Sequence, residues 1–384
     1  MSPRPIGIGL IGLGWMGSLH AQAYRRVRDH YPELPLEPQL IAAADADPER
    51  AGDAQTLGFR QSTTDPLEVI EHPDVEAVSI ATTNDAHLSL VEAAARAEKH
   101  IWIEKPVGRF PAETREAARV AREASILSTV GFNYRQVPLV AHAQRLREEG
   151  AIGTVRNYRA RFFADYASDP ARAFSWRFSE DTAGLGVIGD QMSHVIDQAH
   201  QMVGPIAEVC ALREIQIPER PSAAGATQFA RLEGGEMRRV ENDDYAASLV
   251  RFENGATGTL EVSRTLVGRP CDFSFDLYGS DGAVSWSFQR MNELDLCVAG
   301  NRDGDVGYKT IVAGPGHGEY SRFEPGAGNG MGYSQLKVCE ANSFLSSIAD
   351  GRQGQPGLSE AETAGAVIDA MLRSSESGAW VRVE

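Results

Sequence analysis

Hydrophobic runs alternate with amphipathic stretches over the first third of the chain. Short apolar runs, each typical of a buried strand, occupy residues 6–11, 40–44, 75–81 and 100–103. Stretches with apolar residues at three- and four-residue spacing, typical of amphipathic helices, occupy residues 18–28, 87–97 and 112–124. Strands that alternate with helices imply right-handed crossovers, so this pattern predicts a parallel sheet covered on both faces.

The pattern changes after about Gly131. Strand-like segments there span residues 155–163, 245–252, 256–264, 272–278 and 283–288. The tripeptides Glu253-Asn254-Gly255 and Ser280-Asp281-Gly282 lie between such segments and are typical of hairpin turns, which predicts an antiparallel sheet. Helices are predicted over residues 190–203, 335–349 and 359–375, and the glycine-rich segment 300–332 is predicted to be an irregular loop.

Together these patterns predict an α/β protein of two domains. Residues 1–131 are expected to form the first, a doubly wound parallel sheet. Residues 132–384 are expected to form the second, an α+β domain built on a mainly antiparallel sheet. The final helix is expected to pack back on the N-terminal domain.

Charge excludes two classes of partner. The 384 residues carry a net charge of −16, which on average repels a phosphate backbone or an anionic membrane. We therefore expect neither nucleic acid nor membrane as a partner.

Local composition argues against export and against a metal centre. The longest uncharged run, residues 5–24, is interrupted by five glycines, so it fits neither a membrane helix nor a secretory signal. The four cysteines are far apart and form no C-x-x-C pair, so we expect no zinc site and no disulfide framework. A cytoplasmic protein without a metal is the expectation.

A glycine motif follows the first predicted strand and opens the first helix. In Gly12-Leu-Gly14-Trp15-Met16-Gly17, the first glycine permits a tight turn and the second permits close approach of a pyrophosphate. The third glycine lets the helix pack closely on the strand, with its N-terminus facing the negative charge. These residues, Trp15 and Met16 included, are predicted to bind a dinucleotide.

Asp45 ends the next predicted strand, where a carboxylate can accept hydrogen bonds from the adenosine ribose. Its charge disfavours an additional 2′-phosphate, so NAD is predicted over NADP. The 28 residues from Gly17 to Asp45 exceed the roughly 20 usual for this motif, and Pro32, Pro35 and Pro38 suggest an inserted loop.

Polar residues follow two further strands. Thr82, Asn84 and His87 come after the third strand, where side chains can line the crevice under a dinucleotide; helix capping is the alternative. Glu104 and Lys105 come after the fourth, and a proline at position 106 keeps Lys105 extended, so its ammonium is predicted to enter the crevice.

A third group of candidates lies in the second domain. Helical spacing places Asp190, His194 and Asp197 on one face of the predicted helix. A capping aspartate beside a structurally satisfied histidine is the alternative. A metal site is a further reading of Asp and His on one face, but no second histidine pair or cysteine accompanies them.

The ordered set of motifs resembles a known family. Besides the residues above, it contains Phe132-Asn133-Tyr134-Arg135, Trp176-Arg177 and Asp190-x-x-x-His194. Together the motifs are similar to the glucose-fructose oxidoreductase, inositol dehydrogenase and rhizopine catabolism family (Gfo/Idh/MocA). The segment 165–178 is similar to levoglucosan and related sugar dehydrogenases of that family, and more loosely to inositol dehydrogenases.

This resemblance implies NAD-dependent oxidation of a secondary ring hydroxyl of a sugar, an anhydrosugar or a cyclic polyol. Lys105, Asp190 and His194 match the family's catalytic positions. The remaining positions implied to bind substrate or cofactor are Glu104, Tyr134, Arg135, Tyr166, Trp176 and Arg177. The resemblance also implies that residues 1–131 are an NAD-binding Rossmann domain and that residues 132–384 bind substrate and form oligomers. The open, mainly antiparallel sheet of the C-terminal domain would form a homodimer or homotetramer.

Two other functions share this sequence signature. A glycoside-cleaving enzyme of the superfamily would oxidise its sugar transiently at C3 and would use the same residues without net NAD consumption. A sugar-responsive regulator would bind NAD without turnover. Regulators of this kind are expected to lack the catalytic lysine or histidine, whereas Lys105 and His194 are both present.

Overall fold

The computed structural model describes residues 3–223, 225–227, 230–300, 304 and 306–384. The chain divides into two compact units. The first unit comprises residues 1–136 and 332–363, and the second comprises residues 137–331 and 364–384.

The N-terminal part alternates strands with helices. Its strands are β1 (Arg4–Ile11), β2 (Leu36–Ala44), β3 (Gln61–Thr63), β4 (Ala77–Ile80), β5 (His100–Ile103) and β6 (Ser128–Val130). Its helices are α1 (Trp15–His30), α2 (Pro48–Gly52), α3 (Ala54–Leu57), α4 (Pro66–Ile70), α5 (His87–Arg96) and α6 (Pro111–Glu123).

Strands dominate the middle of the chain. Its helices are α7 (Pro138–Glu148), α8 (Glu180–Ala183), α9 (Val187–Asp190) and α10 (Met192–Met202). Its strands are β7 (Val155–Ala164), β8 (Ile206–Glu214), β9 (Glu219–Ser222), β10 (Glu236–Arg239), β11 (Tyr245–Phe252), β12 (Thr257–Ser263), β13 (Cys271–Gly279), β14 (Gly282–Ser287), β15 (Glu293–Val298) and β16 (Lys309–Val312). The chain closes with α11 (Tyr333–Asp350), α12 (Leu358–Ser377) and β17 (Val381–Arg382).

In the described part of the first unit, the strands form a parallel sheet in the order β3-β2-β1-β4-β5-β6. This is the doubly wound order of a Rossmann fold, in which the strand order reverses between β1 and β4. The central strands β1, β4 and β5 are mostly apolar because helices cover both faces of the sheet; Val78, Ile80 and Ile101, for example, are fully buried. The predicted fold class is confirmed for this domain.

The expected insertion before Asp45 is absent from the structure. Helix α1 continues to His30 and β2 begins at Leu36, so only residues 31–35 connect them. The long spacing therefore comes from a longer helix and a longer strand. Pro38 lies within β2, where it is tolerated because β3 pairs only with the later positions Ala42–Ala44 and leaves that side of β2 open.

The first unit also takes in chain from far along the sequence. The sequence-based division placed residues 132–384 in the second domain, but residues 332–363 belong to the first unit. Helix α11 packs against α1 there, and the Tyr31 hydroxyl donates to Cys339 Sγ at 3.4 Å. The returning helix is thus α11 together with the start of α12.

The described strands of the second unit form a mixed sheet in the order β16-β15-β14-β13-β7-β12-β11-β8-β17. Strands β7 and β12 are parallel, and the other neighbours are antiparallel. One face is buried and apolar, with Val250, Leu260 and Phe273 fully covered or nearly so. The predicted antiparallel character of this domain is confirmed.

Two local predictions in the second unit were wrong. The segment 300–332 contains strand β16, which pairs with β15, although residues 301–303 and 305 lie outside the described residues. The helix predicted over 190–203 is divided at Gln191, so Asp190 ends α9 and His194 lies in the first turn of α10.

No helix among the described residues is both long and apolar enough to span a membrane.

Candidate functional site

The predicted site residues of the first unit lie at the carboxyl edge of the parallel sheet. Each predicted segment follows the end of a strand: β1, β2, β4, β5 or β6. In that order the segments contain Gly12–Gly17, Asp45, Thr82–Asn84, Glu104–Lys105 and Tyr134–Arg135. The crevice at this edge is where open α/β sheets bind their ligands.

The glycines of the turn have different structural roles. Gly12 has φ +91°, and a Cβ there would lie 2.5 Å from the Ala81 carbonyl oxygen of the neighbouring strand end. A Cβ at Gly17 would lie 1.8 Å from the Gly12 carbonyl oxygen, so glycine is required for α1 to approach β1. A Cβ at Gly14, the N-cap of α1, would meet nothing within 4 Å.

The open space at Gly14 lies beside the first amides of a 16-residue helix. A helix N-terminus attracts anions because its first N–H groups have no partner within the helix. The turn therefore fits a pyrophosphate that approaches the backbone of Gly14.

Asp45 lies beside this turn. Its Oδ2 accepts a hydrogen bond from the Leu13 backbone N–H at 2.7 Å, and its Oδ1 accepts one from Asp47 N–H at 2.9 Å. The carboxylate is half-buried and connects the end of β2 to the glycine turn. It thus braces the turn and remains available to a ribose through its other lone pairs.

His87 contacts the segment that contains Lys105. Its ring is buried, and Nδ1 lies 2.9 Å from the carbonyl oxygen of Pro106. Burial lowers the pKa of His87, so the ring is neutral and Nδ1 donates to that carbonyl. Asn84 is also buried, and direct contact of either residue with a cofactor stays a prediction.

Glu104 belongs to a buried ionic cluster that the sequence analysis did not foresee. Its Oε1 lies 2.5 Å from Lys337 Nζ and accepts from His20 Nε2 at 3.1 Å. Lys337 Nζ also lies 2.7 Å from Glu340 Oε2. Lys337 and Glu340 come from α11, and neither is exposed to solvent.

Burial and neighbouring charges have opposite effects on the pKa values of the carboxyl groups in this cluster. Burial raises the pKa of Glu104, but the Lys337 ammonium and the hydrogen bond from His20 outweigh it and hold that pKa well below its ordinary range. Burial lowers the pKa of His20 to about 4, so this ring is neutral. Burial raises the pKa of Glu340 to about 7, against the attraction of Lys337.

In the second unit, Asp190 and His194 lie one helical turn apart where α9 meets α10. His194 is buried, with its ring centroid 6.0 Å from that of Phe162 on β7. Asp190 Oδ2 lies 3.9 Å from Arg177 Nη1, a long ion pair. The arrangement places a carboxylate, an imidazole and a guanidinium in one region.

The Trp176-Arg177 segment is held by its backbone. The Arg177 carbonyl accepts hydrogen bonds from Asn242 Nδ2 at 3.1 Å and from Arg264 Nη1 at 3.2 Å. The Arg177 guanidinium lies 4.4 Å from the ring centroid of Trp176, a cation–π contact.

Arg264 is itself buried and paired. Its Nε donates to Asp244 Oδ1 at 2.6 Å, and both groups are almost fully buried. The neighbouring Asp243 accepts from the backbone N–H of Ile188 at 2.8 Å, which anchors α9 before Asp190. Residues 242–244 therefore hold both the Trp176-Arg177 segment and helix α9, which ends at Asp190.

The predicted aromatic residues are distributed over both units. Tyr134 is buried after β6 in the first unit. Tyr166 packs beside Phe174 and Phe178 in the second unit, and burial raises its pKa. Trp15, exposed by 69%, stacks on Tyr333 of α11 with ring centroids 5.6 Å apart.

The sequence analysis missed the residues that support the site. Lys337 interrupts an apolar stretch of α11, Leu336-Lys337-Val338-Cys339, and this interruption was the available signal. Arg264 and Tyr333 have no comparable signal, because their partners are distant in sequence. Within the described residues, no group of three or more His, Cys, Asp and Glu side chains could hold a metal ion.

Sequence comparisons identify the family. The profile of the oxidoreductase family with an NAD-binding Rossmann fold (GFO/IDH/MocA) matches residues 6–132, and the profile of the GFO/IDH/MocA C-terminal domain matches residues 140–285. The chain belongs to the Gfo/Idh/MocA family. It is therefore an oxidoreductase with an NAD-binding Rossmann domain, and the predicted family, enzyme class and cofactor are confirmed.

Among characterised members of the Gfo/Idh/MocA family, levoglucosan dehydrogenase of Pseudarthrobacter phenanthrenivorans is 35% identical over 98% of both chains. Myo-inositol 2-dehydrogenase of Thermotoga maritima is 27% identical over 72% of this chain and 74% of its own. A solved levoglucosan dehydrogenase in complex with NADH and levoglucosan superposes with a TM-score of 0.93 at 34% identity, covering 99% of this chain and 100% of that one.

The turn glycines generate a first prediction. Gly14→Ala should leave thermal stability nearly unchanged but weaken NAD binding at least about tenfold, because its methyl group enters the open space that a pyrophosphate would approach. Gly17→Ala should lower stability by about 1–3 kcal/mol or more, because its methyl group overlaps the Gly12 carbonyl. Calorimetric NAD titration and thermal unfolding measure the two effects; NAD binding by Gly14→Ala at wild-type strength would contradict the assignment.

Glu340 generates a prediction about pH. Because its pKa is raised from 4.5 to about 7, the folded protein binds its proton more tightly than the unfolded chain does. The stability that this proton contributes is complete below about pH 4.5 and is lost as pH rises to about 7. Glu340→Gln should therefore gain on the order of 2 kcal/mol relative to wild type between about pH 5 and pH 8.

Urea unfolding at several pH values measures this difference. His20, whose lowered pKa has the opposite effect on stability, is present in both proteins and so largely cancels. Glu68→Gln, on an exposed position of α4, is the matched control and should show no such trend. Parallel stability curves for wild type and Glu340→Gln would refute the assigned titration.

Proposed function

We propose that the protein oxidises a secondary ring hydroxyl of a sugar, an anhydrosugar or a cyclic polyol, with NAD as hydride acceptor. The observation that supports this most is the similarity to levoglucosan dehydrogenase along the whole of both chains. The inositol dehydrogenases among the relatives, at 25–28% identity, support the broader polyol class. Levoglucosan-like substrates are the first candidates.

The residues at the carboxyl edge suit NAD. When bound, NAD supplies a nicotinamide ring that accepts the hydride. We propose that the backbone at Gly14 and the N-terminus of α1 hold the pyrophosphate, and that Asp45 holds the adenosine ribose and disfavours a 2′-phosphate. Further proposed contacts come from Gly12, Trp15, Met16, Gly17, Thr82, Asn84, His87, Glu104, Lys105, Trp176 and Arg177.

The proposed chemistry assigns one task to each catalytic side chain. The imidazole of His194 accepts the hydroxyl proton as the hydride leaves the carbon, a contribution of about 10² to 10⁴ in rate. The ammonium of Lys105 stabilises the developing alkoxide and orients its oxygen. Asp190, whose charge is offset by Arg177, accepts a hydrogen bond from a second hydroxyl of the substrate.

Ring-shaped substrates need flat surfaces and fixed donors. Tyr134, Tyr166 and Trp176 provide aromatic faces with polar edges, and Arg135 and Arg177 provide planar donors. Tyr134 is buried and Tyr166 packs beside Phe174, so both residues also contribute to the core. That they bind the substrate as well is part of the proposal.

Turnover is the direct test. Purified protein should form NADH with levoglucosan, an inositol isomer, a free aldose or a simple glycoside, and should do so faster with NAD than with NADP. Lys105→Ala and His194→Ala should each lower kcat by at least about 10² and leave NAD binding nearly intact, since each removes one acid–base or electrostatic group. Lys309→Ala, at an exposed position, is the matched control.

The outcomes separate the competing functions. Near-normal turnover in both variants would overturn the assigned roles. Aglycone release from a glycoside with catalytic NAD and no net NADH would identify the glycoside-cleaving enzyme. Measurable NAD binding without either reaction would identify the regulator.

We also propose that the protein forms a homodimer or homotetramer through the outer face of the nine-stranded sheet of the second unit. Leu212 and Leu249 lie on that face and are each about half exposed, at 49% and 51%. The strand registers continue the same face through Thr259, Arg159 and Asp276. Apolar positions beside charges of both signs suit contact with a second copy of the same face.

Light scattering should give a mass of two or four chains for the wild type. Leu249→Glu should shift the mass toward one chain, because it places a carboxylate at the apolar edge of this face. Met237→Glu on β10, also about half exposed at 52%, is the control and should leave the mass unchanged. A wild-type mass of one chain at every concentration would exclude the interface.

A further inference from the structure

Lysine is rare in this chain. Of 37 basic residues only four are lysines: Lys99, Lys105, Lys309 and Lys337. Lys105 is the proposed catalytic residue, and Lys337 is completely buried beneath the same strand end. An ammonium is a compact point charge, and that of Lys337 lies against the carboxylates of Glu104 and Glu340.

Helix α11 has apolar packing contacts besides the buried cluster. Replacing a buried ion pair with packed apolar residues is often neutral or stabilising, because desolvation of the charges costs about as much as their attraction returns. Helix α11 already buries Leu336, Val338, Phe344 and Leu345. The charges of Lys337 and its partners therefore call for a role other than packing.

Glu104 connects this cluster to Lys105. It is 7% exposed, and a Cβ at Gly131 would lie 2.7 Å from both of its carboxylate oxygens, so glycine makes room for it there. Lys105 follows directly and is partly exposed. On its other side, the Pro106 carbonyl is held by His87. Lys105 thus lies between Glu104, which Lys337 and His20 hold, and Pro106, which His87 holds.

The titratable groups around Lys337 come from three elements. Glu104 follows β5, His20 lies on α1, and Tyr333 and Glu340 lie on α11. Since His20 is neutral, Lys337 is the cation that offsets the Glu104 carboxylate in this cluster. Without it, an unneutralised carboxylate would adjoin Lys105 in a region shielded from water, where charge interactions are strong.

We propose that Lys337 is a positioning residue for Lys105: by fixing and neutralising Glu104, it sets the direction and the electrostatic surroundings of the Lys105 ammonium. The expected effect of Lys337 on turnover rests on the proposed function. Its expected effect on the surroundings of the Lys105 ammonium does not depend on the substrate class.

Competitive acetylation tests the structural part without any substrate. Each lysine of the folded protein is labelled with acetic anhydride, and mass spectrometry compares Lys105 with exposed Lys309 as internal reference. In Lys337→Met, labelling of Lys105 should slow at least about threefold, because the unneutralised Glu104 carboxylate favours the protonated amine, which does not react. The double variant Glu104→Gln/Lys337→Met should return labelling toward the wild-type rate.

Glu104→Gln alone should change the labelling rate of Lys105 in the opposite direction. It can be measured even if Lys337→Met does not fold. It keeps the contact between Lys337 and Glu340 but removes the negative charge of Glu104 beside Lys105, so labelling of Lys105 should become faster. Wild-type labelling of Lys105 in folded Glu104→Gln would overturn the inference, and so would slowed labelling in Lys337→Met that the double variant does not restore.

The kinetic part uses the substrate found for the wild type. In Lys337→Met, kcat should fall at least about tenfold with the KM for NAD within about threefold, and the fall of kcat at high pH, the limb governed by the Lys105 ammonium, should move to higher pH. A purely structural role would lower stability without moving the pH profile, and the double variant should reverse the shift. Absence of turnover in the wild type would refute the proposed function, whereas the labelling results decide the role of Lys337 independently.

Discussion

The close approach of helix α1 to strand β1 is the constraint on which the first unit depends. The absence of a side chain at Gly17 lets the helix begin directly over the Gly12 carbonyl, and the positive φ of Gly12 turns the chain there. The same turn brings the first helical amides to the carboxyl edge of the sheet, beside Asp45 and the end of β4. A dinucleotide site at this edge is a consequence of that packing.

Buried charged and polar side chains fix two further segments that contain proposed functional residues. In the first unit, Lys337 and His20 hold the Glu104 carboxylate. In the second unit, Arg264 and Asn242 hold the Trp176-Arg177 segment through the Arg177 carbonyl. Each case uses fully formed hydrogen bonds in the interior to fix a segment that contributes a proposed functional side chain. This is the pattern expected where a site must be held rigidly by the groups behind it.

The local patterns predicted the elements that bear the site, but not their supports. Residues 100–103 were predicted as a strand from their apolar run, and the structure has β5 at the same bounds. The short strands β3 and β6 were missed because three residues show no periodicity. The helix containing Asp190 and His194 was predicted as continuous, because a break at one residue leaves the helical spacing intact.

By itself, the sequence determined the Rossmann class, the glycine turn and the family, since these depend on short motifs and on their order along the chain. Only the tertiary structure decided that residues 332–363 join the first unit and that Lys337 lies against Glu104, 233 positions away along the chain. Such a pairing leaves no periodic trace in the sequence. It arises because burying a carboxylate requires a compensating charge, and the folded chain supplies that charge from whichever segment packs beside it.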